Sequence, residues 1–189
     1  MAYPLRRMLS RTGAAGRPHL PFGRFRAFSL READREKDMT GLYRSVLYVP
    51  GSKERALDKA RSLDCDAIIL DLEDAVPPAE KGAARDLVVK MLAGADFGHR
   101  ARIVRINGLD SDWGAADAAA LAGAAAAGAA PEGVLIPKVN GPSDLAVAGA
   151  LLPGLPLWAM METCRGALDA AAIAAHPRLA GMVMGTNDL

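Results

Sequence analysis

Charged residues recur at the ends of short apolar runs in this chain. Asp71, Glu73 and Asp74 close one run (AIILDLED), Arg105 closes another, Lys138 a third, Glu162 a fourth and Asp188 a fifth. If such runs are strands of a parallel sheet, their ends share one rim, the place where reacting groups of α/β enzymes gather. Glu162 and Asp188 end consecutive runs, so two hard oxygen donors can converge on one point with room for water, a set suited to Mg²⁺. The competing reading has Glu162 capping the following helix and Asp188 paired with a neighbouring Lys or Arg. Arg105 offers a fixed, always-charged fork to a carboxylate or enolate oxygen, or else bridges to the acidic cluster. Lys138 anchors an anionic substrate or neutralises that cluster. The acids of the cluster, Asp71, Glu73 and Asp74, cannot all stay bare and close together, so some must pair with Arg or Lys, bind through metal-bound water or point outward. Glu73 and Asp74 are expected to stand mostly behind the groups that touch substrate or metal.

Other reactive types carry less. Cys164 stands two residues after Glu162 without a partnered histidine and is expected to be a small packed residue. His19, His99 and His176 fall in loops or in the N-terminal arm, which argues against histidine-based catalysis. Two cysteines without CxxC or Cys/His spacing fit a reducing compartment and exclude structural zinc.

The elements that must position these residues follow from two alternating patterns: short β-branched apolar runs bounded by Gly or Pro, and longer Ala/Leu/Lys/Arg stretches with helical spacing. Strands are predicted over 45–49, 67–71, 102–106, 134–138, 157–161 and 179–184. Helices are predicted over 53–62, 79–92, 112–127, 143–151 and 166–175, with Ser52 and Ser143 as caps and Pro77–Pro78 opening the second. Runs such as AIILD and GVLIP are apolar on both faces, as parallel strands under helices are. An open doubly wound sheet should show a glycine-rich phosphate loop after its first strand, but YVPGSKER lacks both GxGxxG and GxxxxGK[ST]. The expected fold is therefore an α/β chain of the (β/α)8 TIM-barrel type, interrupted after its sixth strand.

Composition sets the bounds. The chain has 189 residues, 51% hydrophobic and 24% charged, enough for one real core. No apolar stretch approaches the roughly 18 residues of a membrane span, so no membrane role is expected. Residues 1–31 hold seven arginines, no lysine and no acid; with a net charge of +1 overall, the remainder carries about −6. We therefore divide the chain into a basic arm, 1–40, and a folded part, 41–189. The arm has the composition of an organellar transit peptide, which would place the protein in mitochondria. A disordered arm, or a true start at Met39, leaves it cytoplasmic. Prolines and glycines interrupt the arm and the part behind it is acidic, so no nucleic-acid partner is expected.

From Arg44 onward the sequence resembles the citrate lyase β-subunit-like CoA-ester lyases of the HpcH/HpaI aldolase superfamily. RSVLYVPG (44–51), DAIILDLEDAV (66–76) with EKGAAR (80–85), VRING (104–108), LIPKV (135–139), METCRG (161–166) and MGTNDL (184–189) carry the resemblance. Singly these are weak; six in order at strand ends are specific. The resemblance implies a Mg²⁺-dependent (β/α)8 barrel that forms homotrimers or homohexamers. It further implies Glu162 and Asp188 as metal ligands, Arg105 and Glu162 as substrate contacts, and Tyr48, Lys59 and Arg55 as contacts to CoA, with Arg55 standing where a lysine is common.

The activity so implied is carbon–carbon cleavage of malyl-CoA, methylmalyl-CoA or citramalyl-CoA to an acyl-CoA and a 2-oxo acid. Two alternatives stay open: hydrolysis of malyl-CoA at the same site, and a non-catalytic fragment or citrate lyase-like subunit that works only with a partner. Relatives take their acid/base residue from a C-terminal segment that this sequence does not include, so the 189-residue chain by itself is expected to be poorly folded or inactive.

Overall fold

The computed structural model describes residues 43–186 and 188–189. The basic arm and Asn187 lie outside the described residues, and so do the expectations placed on them. Six parallel strands run in chain order: β1 (Val46–Pro50), β2 (Ala67–Asp71), β3 (Ala101–Arg105), β4 (Gly133–Ile136), β5 (Leu157–Met161) and β6 (Leu179–Met184). Helices α1 (Glu54–Ala60), α2 (Lys81–Gly94), α3 (Gly114–Ala126), α4 (Pro142–Leu151), α5 (Cys164–Leu168) and α6 (Ala170–Ala174) alternate with them.

Each strand pairs with the next one in sequence, without the reversal of order that marks a doubly wound sheet. The two faces also differ. Ile68 and Leu70 of β2 join a large core with Leu57, Val88, Leu121 and Leu145 of the helices. Ala67 and Ile69 point the other way, into a smaller cluster with Ile103, Leu135, Trp158 and Met160, to which no helix among the described residues contributes. Helices on one face and side chains alone on the other give a truncated TIM-barrel-like fold.

Local chemistry accounts for the boundaries. Pro78 starts a short 3₁₀ turn, Pro78–Glu80, that leads into α2, whose buried Lys81, Ala84, Val88, Met91 and Leu92 follow helical spacing. Neither predicted serine cap is used. The residue before α1 is Lys53, with no side-chain cap. At α4 the cap is Gly141, and Asp144 reaches back to accept its N–H at 3.2 Å, which leaves Ser143 inside the first turn. Thr163, not Glu162, caps α5 by accepting the Gly166 N–H at 3.0 Å. The single helix predicted over 166–175 is instead two short ones that meet at Asp169.

Candidate active site

Parallel register builds the first part of the site. Asp71 and Arg105 are the last residues of β2 and β3 and lie directly opposite each other. Arg105 Nε donates to Asp71 Oδ1 at 2.8 Å and Nη2 to Oδ2 at 2.6 Å, a bidentate pair between two buried residues. Nη1 completes the grip, 2.8 Å from Glu73 Oε2 and 3.2 Å from Asp74 Oδ2. Burial opposes the charge on Arg105, but the hydrogen bonds and charge of Asp71 outweigh it and hold the guanidinium above its usual range. The Tyr48 ring packs 5.2 Å from the guanidinium carbon, and burial pushes the Tyr48 hydroxyl up.

Lys138 builds the second part. It lies just past β4 with φ +52°, in the left-handed region that side chains other than glycine seldom adopt. Its backbone N–H donates to Glu162 Oε1 at 2.8 Å. Its ammonium donates to Glu73 Oε1 at 2.9 Å and lies 3.5 Å from Asp188 Oδ2 and 3.9 Å from Glu162 Oε1. The hydrogen bond it donates to Glu73 is the main cause that raises the Lys138 pKa. Glu73 itself moves up, because burial outweighs its two cationic neighbours.

Glu162 and Asp188 thus converge on one shared positive charge, that of Lys138. They are hard oxygen donors on adjacent strand ends, the chemistry a magnesium site requires. Gly185 fits that role: a Cβ there would stand 2.8 Å from Glu162 Oε2, so the backbone after β6 closes on the carboxylate only because the residue is glycine. Tyr48, Arg105, Glu162 and Asp188 line one cavity of about 470 Å³ together with Asp71 and Asp74. Arg55 and Lys59 do not line it; both are exposed on α1. Cys164, expected to be packed, is exposed in the first turn of α5, because the buried position of that turn goes to Gly166 beneath the Val139 carbonyl.

A buried polar network beneath the rim was not anticipated. Lys81 donates to the carbonyls of Leu72 and Glu73, at 3.0 and 2.9 Å, and to Asn107 Oδ1. Asn107 donates through its backbone N–H and its amide to Asp117 Oδ2, and Arg85 donates to Asp117 Oδ1 at 2.7 Å. These bonds tie the loops after β2 and β3, beside Glu73, Asp74 and Arg105, to α2 and α3. The signal was present in EKGAAR, where Lys81 and Arg85 stand one helical turn apart.

Residues 44–189 match the family described as HpcH/HpaI aldolase/citrate lyase. The chain belongs to that family. Among its HpcH/HpaI relatives, four (3S)-malyl-CoA thioesterases from strains of Cereibacter sphaeroides are 60–63% identical over 147 residues, which is 78% of this chain and 50% of theirs. The chain therefore spans about half the length of these relatives. A mitochondrial citramalyl-CoA lyase from Rattus norvegicus is 38% identical over 102 residues, 54% of this chain and 29% of that protein. The crystal structure of CitE from Mycobacterium tuberculosis in complex with magnesium and acetate superimposes with a TM-score of 0.64 at 35% identity, covering 76% of this chain and 55% of that one.

These relatives correct one expectation. Carbon–carbon cleavage was the leading activity implied by the sequence, and the far higher identity to thioesterases overturns it in favour of the hydrolytic alternative. The reason is chemical. Lyases and hydrolases of this HpcH/HpaI family act on related acyl-CoA esters, so shared rim motifs report the site and not the bond that breaks.

Proposed function

We propose that the protein belongs to a hydrolase that cleaves the thioester of (3S)-malyl-CoA to malate and CoA. The observation that carries this reading is the 60–63% identity to (3S)-malyl-CoA thioesterases over 147 residues, 78% of this chain. In the reaction water adds to the thioester carbon and the C–S bond breaks; one proton of the water ends on the CoA sulfur, which leaves as the thiol, and the other passes to solvent as the acyl group becomes a carboxylate. Negative charge develops on the acyl oxygen and on sulfur, so the rim must supply fixed positive charge.

Arg105 supplies it from a position that Asp71 prevents from drifting, and its Nη2 keeps a second proton for a substrate carboxylate or acyl oxygen. The Tyr48 ring packs against the guanidinium on one side of the cavity. We infer that Glu162 and Asp188 hold a magnesium ion, as their donor chemistry and the glycine cradle at Gly185 favour. When bound, such an ion supplies Lewis-acidic charge for the acyl and hydroxyl oxygens of the substrate. Arg55 and Lys59, exposed on α1, are the proposed contacts for CoA phosphates. The whole protein is proposed to assemble as a homotrimer or homohexamer.

The test is product analysis by chromatography after incubation with Mg²⁺ and (3S)-malyl-CoA. Equal release of malate and free CoA is expected, reduced at least about a hundredfold in Glu162→Gln and Asp188→Asn. Acetyl-CoA and glyoxylate without free CoA, or release that matches the Glu162→Gln background, overturns the reading.

A further inference from the structure

We propose that the Lys138 ammonium is an exchangeable internal counter-ion: it compensates Glu162 and Asp188 when no ion is bound and gives them up to a divalent cation while it stays anchored on Glu73. The inference rests on the reading of those two acids as ion ligands. Its basis is the unequal set of distances around the ammonium. The 2.9 Å bond to Glu73 is a hydrogen bond, whereas 3.5 Å to Asp188 and 3.9 Å to Glu162 are ion pairs too long to be hydrogen bonds. One partner holds the side chain; the other two are only neutralised by it.

Backbone and side chain of Lys138 divide two tasks. The main chain, held at φ +52°, aims its N–H at Glu162 Oε1 and so orients this buried carboxylate whatever the side chain does. The side chain is half exposed, and a flexible four-carbon stem lets its charge move by a few ångströms without disturbing the N–H. Two consequences follow. A buried carboxylate is never left bare, since an uncompensated charge there would cost several kcal/mol by the usual behaviour of buried ions. A divalent ion must also displace or repel a full positive charge within 4 Å of both ligands, which weakens ion binding relative to a bare acid pair.

The experiment uses the 189-residue chain and two readouts that do not depend on turnover. Mn²⁺ serves as the probe, with the free ion followed by electron paramagnetic resonance, for the wild-type protein and for Lys138→Met and Lys138→Gln. Separately, acetylation of wild-type Lys138 by an amine-reactive ester is quantified by mass spectrometry with and without Mg²⁺. The variants should bind Mn²⁺ about tenfold tighter or more, as expected for loss of a neighbouring like charge. Mg²⁺ should speed labelling of Lys138 several-fold while other lysines stay unchanged. Equal or weaker Mn²⁺ binding by folded variants, or labelling that Mg²⁺ leaves unchanged or slows, overturns the inference. Should either variant fail to fold, the wild-type labelling decides. If wild-type protein binds no more Mn²⁺ than Glu162→Gln, the ion-ligand reading itself falls, an outcome distinct from wild-type binding with an unresponsive lysine.

Discussion

Arg105 spends most of its donors on its own protein, and that determines what its removal would do. Asp71 is 1% exposed, and its two oxygens take the Arg105 fork as well as the N–H groups of Glu73 and Ala75. Arg105→Met would leave this carboxylate buried with backbone partners alone, so a loss of about 3–5 kcal/mol in urea unfolding is expected. Arg105→Lys should recover part of that stability but little activity, because an ammonium cannot fork onto Asp71 and face substrate together. A lysine variant as active as wild type would show that the guanidinium only supports the fold. The sequence placed Arg105 at the rim and left open whether it serves substrate or the acidic cluster. The structure shows its fork paired with the cluster, a pairing that depends on the parallel register of β2 with β3, which residue types alone do not disclose.

At the scale of elements, strands were legible wherever an apolar run had firm bounds. β2, β5 and β6 start and end where the residue pattern places them, since Asp71, Glu162 and Gly185 mark the exits. The helix predicted over 166–175 failed because it is mostly alanine, which carries little periodicity to reveal a break. The Lys81–Asn107–Asp117–Arg85 network was hidden for another reason. Patterning assigns charged residues to solvent, whereas Asp117 is fully buried and Lys81 nearly so. Lys81→Met should therefore cost about 3 kcal/mol in chemical unfolding, because two loop carbonyls and Asn107 lose their donor together. Strand glycines carry a related message. Gly133 and Gly181 flank Trp158 on β4 and β6, and a Cβ at Gly181 would meet the indole at 2.7 Å. Gly181→Ala is expected to shift Trp158 off the sheet, lower stability by about 1–3 kcal/mol and change the tryptophan fluorescence. An unchanged spectrum and melting curve would show that the ring is loosely held.

At the scale of the molecule, among the described residues, the inner face of the sheet has no helix over it and its two outer strands pair on one side only. β1 exposes Val46, Leu47 and Tyr48, and β6 exposes Met182 and Met184, so open backbone edges coincide with apolar side chains. The entry into this sheet is held by charge. Asp66 accepts from the backbone N–H groups of Arg44 and Ser45 and from the Arg44 guanidinium, which fastens the start of β1 beside that of β2. The Arg44 side chain is the main cause that holds the Asp66 pKa far below the usual carboxylate range. A folded-state pKa below the unfolded value contributes stability that is complete above the unfolded pKa, near 3.9 for aspartate, and is lost as pH falls below it toward the folded value. The stability gap between wild type and Asp66→Asn should thus be constant at neutral pH and begin to close below about pH 4. As β1 loosens at its start, its exposed edge becomes freer to pair with another copy. Light scattering should therefore show association that grows with protein concentration, starts at higher pH in Asp66→Asn than in wild type, and is reduced by Val46→Lys, which places a charge on that edge. Association that Val46→Lys leaves unaltered would place the contact on another surface.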